Sequence, residues 1–180
     1  MPFSFNDFYK NKNIFLTGHT GFKGSWLSIW LNYIGANIYG FSNDIPTNPS
    51  LYKNAKVDTL VNSIEGDIRN LNELKNALLS SKPEIIFHLA AQPLVRESYN
   101  DPLSTFSTNI IGTANLLELA KHLDSLKAIV VITSDKCYQN NESIWGYREI
   151  DSLGGHDPYS ASKGCAEIII NSYRKSFFND

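Results

Sequence analysis

A segment near the N-terminus reads Asn13-Ile14-Phe15-Leu16-Thr17-Gly18-His19-Thr20-Gly21-Phe22-Lys23-Gly24-Ser25-Trp26. A short apolar strand here runs into a turn with the spacing G-x-x-G-x-x-G, and helical spacing follows. This junction is typical of a dinucleotide-binding loop. Gly18 permits the tight turn, Gly21 lets the backbone approach a pyrophosphate, and Gly24 lets the helix pack closely on the sheet. The N–H groups at the helix N-terminus would then face the phosphates.

Beyond this segment, short apolar runs alternate with longer stretches of helical spacing. The predicted strands are 13–17, 36–41, 58–63, 84–90 and 128–133. The predicted helices are 23–34, 71–80, 102–122 and 158–178, and segment 43–56 is a predicted loop. Such alternation predicts βαβ units with right-handed crossovers, hence a Rossmann-like, doubly wound parallel sheet in a three-layer αβα fold. The continuous apolar run of the last strand favours burial on both faces.

Several side chains mark helix boundaries and faces. Asp101 and Asp157 each precede a proline, which is typical of an N-cap followed by the first helical residue. Asn70 and Glu73 have the spacing of a capping box. A stripe of apolar residues predicts the core-facing side of helix 102–122: Ile110, Ala114, Leu117 and Ala120.

Length, charge and cysteine content restrict the class of protein. The chain has 180 residues and a net charge of −2, and at about 100–200 residues per domain it predicts a single domain, 1–180. There is no basic run for nucleic acid, no apolar stretch near the ~20 residues of a membrane span, and no secretory signal in residues 1–7. Two cysteines, Cys137 and Cys165, form no disulfide framework and lack partners at metal-ligand spacing. We therefore expect a cytoplasmic protein without a metal.

A tyrosine and a lysine lie one helical turn apart at Tyr159 and Lys163. A phenol ordinarily has a pKa near 10, so a tyrosine acts as a base at neutral pH only with help from nearby cations. This spacing is common by chance, but beside the glycine loop it predicts proton transfer next to a nicotinamide. The fifth predicted strand runs into Thr133-Ser134-Asp135-Lys136, at the sheet edge where ligands of parallel sheets bind.

Other strand ends supply predicted cofactor contacts. Ser42 stands where a carboxylate commonly binds the ribose 2′-hydroxyl, and it can hydrogen-bond that group; NAD is preferred, and NADP stays open. Backbone groups of the loop are expected to carry the phosphate binding, with the His19 side chain incidental to it, and His88 is expected to be a satisfied core residue. The predicted cofactor-binding residues are Gly18, Thr20, Gly21, Phe22, Lys23, Gly24, Ser42, Asp67, Ile68, Leu89, Ala90, Ala91, Gln92, Thr133, Tyr159 and Lys163.

The chain resembles the extended short-chain dehydrogenase/reductase family and, within it, the nucleotide-sugar 4,6-dehydratases that act on CDP-glucose. Segments 18–27, 88–96, 133–138, 145–149 and 153–160 carry the resemblance. The glycine loop and the Tyr–Lys pair define only the superfamily. The narrower signals are the strings Phe22-Lys23-Gly24-Ser25-Trp26 and Ser134-Asp135-Lys136-Cys137-Tyr138.

The resemblance implies a catalytic set of Ser134, Asp135, Lys136, Tyr159 and Lys163. Tyr159 would take the proton of the sugar 4-hydroxyl as hydride passes from C4 to NAD. Lys163 would assist Tyr159 and hold the nicotinamide ribose, and Ser134 would hydrogen-bond the same hydroxyl. Asp135 would protonate the departing 6-hydroxyl before hydride returns to C6. Lys136 occupies the position at which related dehydratases have a glutamate as the C5 base, so the identity of that base stays open.

Two alternatives remain: another epimerase or dehydratase of this family, and a non-catalytic NAD-binding module. The Asp135-Lys136 pair argues against an epimerase, and the retained Tyr–Lys pair argues against a module. In the resembled family further strands and a substrate lobe follow helix 158–178. They are expected to be absent here, which would leave the fifth strand as an edge and residues 1–180 with little activity. Helices 102–122 and 158–178 predict a homodimer through a four-helix bundle.

Overall fold

Five parallel strands with flanking helices build the fold in the computed structural model, which describes residues 5–178. The strands are β1 (Asn13–Thr17), β2 (Asn37–Ser42), β3 (Asn62–Glu65), β4 (Ile85–His88) and β5 (Ala128–Val131). The helices are α1 (Phe5–Tyr9), α2 (Phe22–Tyr33), α3 (Leu51–Asn54), α4 (Leu71–Ser81), α5 (Val95–Asn100), α6 (Pro102–Phe106), α7 (Gly112–Ala120) and α8 (Pro158–Phe177). Residues 1–4 and 179–180 lie outside the described residues, so the expectation about a secretory signal in residues 1–7 falls largely on residues that the structure does not describe.

The chain divides into two compact units. The first comprises the described residues up to Ala90 together with Leu123–Ile132, and the second comprises Ala91–His122 together with the described residues from Thr133 onward. The single domain expected from length remains a prediction.

The first unit contains the whole sheet, in the order β3-β2-β1-β4-β5. All pairs are parallel, with Ile14 opposite Ile38 on one side and Ile85 on the other. These isoleucines are at most 5% exposed and pack with Leu16 and Leu31, because a central parallel strand is covered on both faces. The predicted Rossmann-like sheet is confirmed. Its order reverses between β1 and β4, which is where ligands of open α/β sheets bind.

The structure corrects three predictions in this unit. Residues Val57–Thr59 form a 3₁₀ turn, so the predicted strand 58–63 begins later, at Asn62. Residues Leu51–Asn54, inside the predicted loop, are helical because the Ser50 hydroxyl accepts a hydrogen bond from the Lys53 amide. Burial of β5 on both faces is wrong, since β5 lies at an edge of the described sheet and Val130 is 41% exposed.

In the second unit, the predicted helix 102–122 is not one continuous α-helix. That helix is divided into α6, a π-helical turn at Ser107–Ile111, and α7. The buried side of this segment lies one residue earlier than predicted, at Asn109, Thr113 and Leu116, whereas Ile110 and Ala114 are only partly buried. Leu117 and Ala120 are buried as predicted. Helix α5 was not predicted.

The predicted helix starts are confirmed. Asp101 accepts a hydrogen bond from the Ser104 amide, and Asp157 accepts one from the Ser160 amide, each at 2.9 Å. Asn70 caps α4, although Glu73 accepts from the Asp67 amide rather than completing the capping box. No helix in residues 5–178 combines the length and the apolar character needed to cross a bilayer.

Candidate functional site

The predicted site residues divide between the two units. The first unit contains Gly18, Thr20, Gly21, Phe22, Lys23, Gly24, Ser42, Asp67, Ile68, Leu89 and Ala90. The second contains Ala91, Gln92, Thr133, Ser134, Asp135, Lys136, Tyr159 and Lys163. Each group forms a local arrangement within its own unit.

Two glycines of the loop are required by the packing of the protein itself. Gly18 has a φ of +75°, and a Cβ there would lie 2.8 Å from the backbone nitrogen of Ala90. A Cβ on Gly24 would lie 2.1 Å from the Gly18 carbonyl oxygen. Backbone atoms cannot yield to such contacts. Gly18 therefore brings the loop against the end of β4. Gly24 lets α2 pack closely on the loop, whereas the sequence analysis expected it to let the helix pack on the sheet.

Gly21 differs from its two neighbours. It is the N-cap of α2 with an ordinary φ of −72°, and a Cβ there would approach only the Gly18 oxygen, at 3.4 Å. Neither strain nor crowding in the protein demands glycine, so the open surface beside this residue suits the close approach of a ligand. The first turn of α2 presents N–H groups that have no partner inside the helix. This loop therefore fits the pyrophosphate of a dinucleotide.

Thr17, at the end of β1, holds the end of β4 beside the loop. Its hydroxyl oxygen accepts hydrogen bonds from the Leu89 and Ala90 amides, both at 3.1 Å. Because the oxygen already accepts twice, the hydroxyl donates its proton to Nδ1 of His88, 2.7 Å away. Nδ1 is therefore an acceptor, and the neutral His88 ring carries its proton on Nε2. His88 is 2% exposed, and its prediction as a satisfied core residue is confirmed.

His19 is a buried structural residue of the loop, and that its side chain is incidental to phosphate binding stays a prediction. Its Nδ1 lies 3.0 Å from the Ser42 hydroxyl and its Nε2 lies 2.8 Å from the Ser63 hydroxyl. The ring lies so close to Gly40 that a Cβ there would be 2.4 Å from it. Burial lowers the pKa of the imidazole to about 4. His19 thus joins the glycine loop to β2 and β3 as a neutral side chain.

The remaining predicted contacts of this unit lie around the loop. Thr20 donates a hydrogen bond to the Asp44 carbonyl at 2.6 Å, and Phe22 and Lys23 are exposed. Asp67 binds Arg69 in an ion pair that lowers the pKa of the carboxyl group. The carboxylate of Asp67 is therefore shared with Arg69, while Ile68 beside it is buried.

In the second unit, Ser134, Asp135 and Lys136 form one short turn. The Ser134 hydroxyl accepts from the Lys136 amide at 3.0 Å and donates to the Asp135 carboxylate at 3.1 Å. Asp135 and Lys136 are exposed, whereas Cys137 is buried. A Cβ on Gly164 would lie 3.3 Å from the Cys137 carbonyl oxygen, so the turn packs against α8 at the residue that follows Lys163.

Helix α8 buries both members of the Tyr–Lys pair, which are 9% and 6% exposed. The Ser98 hydroxyl accepts a hydrogen bond from the Tyr159 amide at 3.1 Å. Asp157 accepts from both the amide and the hydroxyl of Ser160. Partial burial raises the pKa of Asp157, but these hydrogen bonds outweigh it and hold the pKa below its usual value. The start of α8 is thereby fixed.

Asn109, in the π-helical turn, is a residue that the sequence analysis missed. Its amide group donates to the Gln92 carbonyl at 3.1 Å and to the Ser162 hydroxyl at 2.9 Å, and it accepts from the Gln92 amide at 2.8 Å. It therefore connects the segment after β4 to α8. Periodicity alone predicted only apolar contacts on the predicted helix 102–122.

Two predicted cofactor residues of this unit make hydrogen bonds within the protein. The Gln92 side chain binds Thr105 and Leu94, and Thr133 donates to Glu167.

Comparisons with known proteins identify relatives. The family model described as GDP-mannose 4,6 dehydratase matches residues 15–178. CDP-glucose 4,6-dehydratase of Salmonella typhimurium is 54% identical over 173 residues, which are 96% of this chain and 48% of that protein. CDP-paratose 2-epimerase of Salmonella typhi is 28% identical over 187 residues, covering 91% of this chain and 53% of that protein.

Solved structures share the fold. The dTDP-glucose 4,6-dehydratase of Bacillus anthracis, solved in complex with NAD, has a TM-score of 0.76 at 27% identity, over 93% of this chain and 52% of that one. An epimerase of Methanothermobacter thermautotrophicus has a TM-score of 0.85 at 26% identity, over 99% and 53%. The chain spans about half the length of the curated relatives that it matches. Since the family model covers nearly all of its residues, the chain belongs to the GDP-mannose 4,6 dehydratase family, within the extended short-chain dehydrogenases/reductases.

Proposed function

We propose that this chain carries the cofactor loop and the proton-transfer residues of an NAD-dependent dehydratase that converts CDP-glucose to CDP-4-keto-6-deoxyglucose. The observation that supports this proposal best is the packing of the turn with Ser134 and Asp135 against α8, the helix in which Tyr159 and Lys163 are buried. That unit holds a base for one oxygen and an acid for another, which dehydration needs and epimerisation does not. The 54% identity to a CDP-glucose 4,6-dehydratase supports the substrate.

The glycine loop would hold the cofactor. The open surface at Gly21 and the first-turn amides of α2 suit a pyrophosphate. The Ser42 hydroxyl, already oriented by His19, suits a ribose hydroxyl. NAD is favoured over NADP because a relative of the same fold was solved with NAD. The chemistry that NAD supplies when bound is hydride uptake from C4 and hydride return to C6.

The chain's own residues move the protons. Tyr159 removes the proton of the sugar 4-hydroxyl, and Lys163, one helical turn away, holds the nicotinamide ribose. Ser134 hydrogen-bonds the same hydroxyl. Once C4 is a carbonyl the C5 proton is acidic, and Lys136 is the candidate base that removes it. Asp135 protonates the 6-hydroxyl, which leaves as water; the C5 proton is restored as C6 is reduced.

The test is a chimera in which residues 1–180 replace the segment that they match in the Salmonella typhimurium relative. Given NAD and CDP-glucose, we expect a 4-keto-6-deoxy product, seen by its ultraviolet absorbance in alkali. Tyr159→Phe in the same chimera should lower kcat at least about 100-fold. Turnover of another nucleotide sugar but not of CDP-glucose would contradict the substrate. NAD binding by a folded chimera without any turnover would instead assign a binding module.

We also infer a cytoplasmic homodimer formed through the α6–α7 segment and α8. Exposed apolar side chains on these helices support the interface, with Leu103 at 79% and Ile168 at 58% exposed. Two free cysteines, Cys137 and Cys165, support a reducing compartment. Sedimentation equilibrium of residues 1–180 should give a dimer that Ile168→Glu dissociates. A monomer at every concentration would refute it.

A further inference from the structure

Helix α8 carries a carboxylate that the proposed function does not use. Glu167 lies one helical turn after Lys163 and two turns after Tyr159, so it extends the line of the Tyr–Lys pair along the helix. Its Oε1 accepts a hydrogen bond from the Thr133 hydroxyl at 2.5 Å, and both side chains are partly buried. This bond joins α8 to the residue immediately before the Ser134–Lys136 turn.

The other end of the turn rests on the same helix. Cys137, which follows the turn, is 4% exposed, and a Cβ on Gly164 would lie 3.3 Å from its carbonyl oxygen. Gly164 and Glu167 are three residues apart and are therefore neighbours on the surface of α8. One patch of α8 thus contacts the chain just before and just after the turn, while Asp135 and Lys136 between these contacts are exposed.

The charge of Glu167 reaches the turn. Burial raises the pKa of the Cys137 thiol most, and the Glu167 carboxylate raises it further because it disfavours a second negative charge nearby. A hydrogen bond that a carboxylate accepts is roughly twice as strong as one between neutral groups. We therefore expect the bond between Thr133 and Glu167, more than the van der Waals contact at Gly164, to hold the turn on α8.

The turn needs such a contact because its own hydrogen bonds do not fix where it lies. The Ser134 hydroxyl binds only within the turn in the hydrogen bonds described above, so these bonds set the shape of the turn and not its distance from Tyr159. Ser134 and Asp135 are proposed to act on the same sugar as Tyr159, which lies in the first turn of α8. A displacement of about 1 Å can lower a catalysed rate about 100-fold.

We propose that Glu167 is a positioning residue for the dehydration, because its hydrogen bond with Thr133 holds the Ser134–Lys136 turn on α8 within reach of a sugar bound at Tyr159. This role rests on the proposed function, although the contact itself does not. Glu167 would touch neither substrate nor cofactor and would act through Thr133. One experiment therefore measures turnover, and a second measures the contact.

The first test measures steady-state kinetics in the chimera. Thr133→Val removes the donor and Glu167→Leu removes the acceptor, and each should lower kcat about 10- to 100-fold while KM for CDP-glucose changes less than about threefold. The double variant should be no slower than either single variant, since both substitutions remove the same bond. Thr133→Ser and Glu167→Gln keep a donor and an acceptor, and they should recover most of kcat.

Tyr173→Phe is the matched control. It removes a hydrogen bond of 3.0 Å between α8 and the Glu118 carboxylate on α7, and it should leave kcat unchanged. A Thr133→Val chimera as fast as its parent, or a double variant much slower than both single variants, would overturn the positioning role alone. Absence of turnover in the parent chimera would instead overturn the proposed function, and with it the role of Glu167.

The second test needs no turnover. In residues 1–180 with Cys165→Ser, Cys137 is the single cysteine, and its rate of reaction with a thiol reagent reports how often the turn leaves α8. Thr133→Val should raise this rate at least about tenfold, and Tyr173→Phe should not. Glu167 stays unchanged in these chains because its charge acts on the thiol directly. Equal rates with and without Thr133→Val, or an equal rise with Tyr173→Phe, would overturn the proposal.

Discussion

The glycine loop after β1 and the Ser134–Lys136 turn after β5 follow two strands of one sheet but are built differently. At the start of the loop, Thr17 and His19 are buried, and their side chains bind across strands. The turn is exposed, and the hydrogen bonds of Ser134 stay inside it. The fold therefore holds the candidate cofactor site rigidly, while the candidate acid sits on a local structure that contributes little to stability. Substitutions should separate accordingly, with loss of stability in the loop and loss of chemistry in the turn.

The largest effect is expected in the turn. Asp135→Asn removes the acid proposed for the 6-hydroxyl and keeps the shape of the side chain. In the chimera it should lower dehydration at least about 100-fold, while the free energy of unfolding changes by no more than about 0.5 kcal/mol. Product formation and chemical denaturation measure the two quantities. A loss of unfolding free energy well above about 0.5 kcal/mol would show that the turn contributes to the stability of the fold.

The next effect is expected in the loop, where Gly24→Ala places a methyl group against backbone. Alanine is ordinarily the better helix former by about 1 kcal/mol, but the clash with the Gly18 carbonyl should instead destabilise the protein by about 3 kcal/mol. Urea denaturation measures the change. Gly146→Ala is the control, because a Cβ there meets nothing within 4 Å. A neutral Gly24→Ala would mean that the loop yields easily.

A smaller, pH-dependent effect is expected at His19. Burial in the folded state lowers the pKa of this imidazole to about 4 from its usual 6.5. Between pH 6.5 and pH 4, His19 therefore binds a proton in the unfolded chain but not in the folded one. Stability is then fully present above pH 6.5 and falls as the pH drops toward 4, by roughly 2–3 kcal/mol. His19→Asn should flatten this slope in unfolding curves, with His122→Asn as the control for loss of an exposed imidazole. An unchanged slope would show that His19 does not cause it.

The smallest effect is expected at the start of α8. Asp157→Ala removes the cap on the Ser160 amide and should cost about 1 kcal/mol of unfolding free energy, measured by thermal denaturation. Asp157→Asn keeps an acceptor and should recover most of that loss. Equal melting temperatures for wild type and Asp157→Ala would show that the cap is not needed.

Local signals predicted much of the fold and little of what holds the loop. The glycine spacing, the caps at Asp101 and Asp157, and the apolar runs act within a few residues, and they placed β1, α4 and α8 almost to the residue. The structural role of His19 depends on Ser63 and Gly40, which lie far away in sequence, and no spacing rule brings them together. The same holds for Asn109, whose partners are on two other segments.

The exposure of β5 shows a second limit. Its residues Ala128-Ile129-Val130-Val131 have the composition of a strand that is buried on both faces, and composition does not reveal what covers a strand. The residues proposed for chemistry were found by motif, since Tyr159, Lys163 and the Ser134–Lys136 turn are short patterns. The burial of Tyr159 and Lys163, by contrast, follows from the packing of α8 and could not be predicted from those patterns.

The most direct measurement is calorimetric titration of residues 1–180 with NAD, comparing wild type with Gly21→Ala. Of the three loop glycines Gly18, Gly21 and Gly24, Gly21 is the one that neither strain nor crowding explains, so the proposed function assigns it to the cofactor. Gly21→Ala should weaken NAD binding at least about tenfold, or about 1.4 kcal/mol, with a melting temperature close to that of wild type. Unchanged affinity in the variant, or no binding of NAD by the folded wild-type chain, would contradict the assignment of the loop.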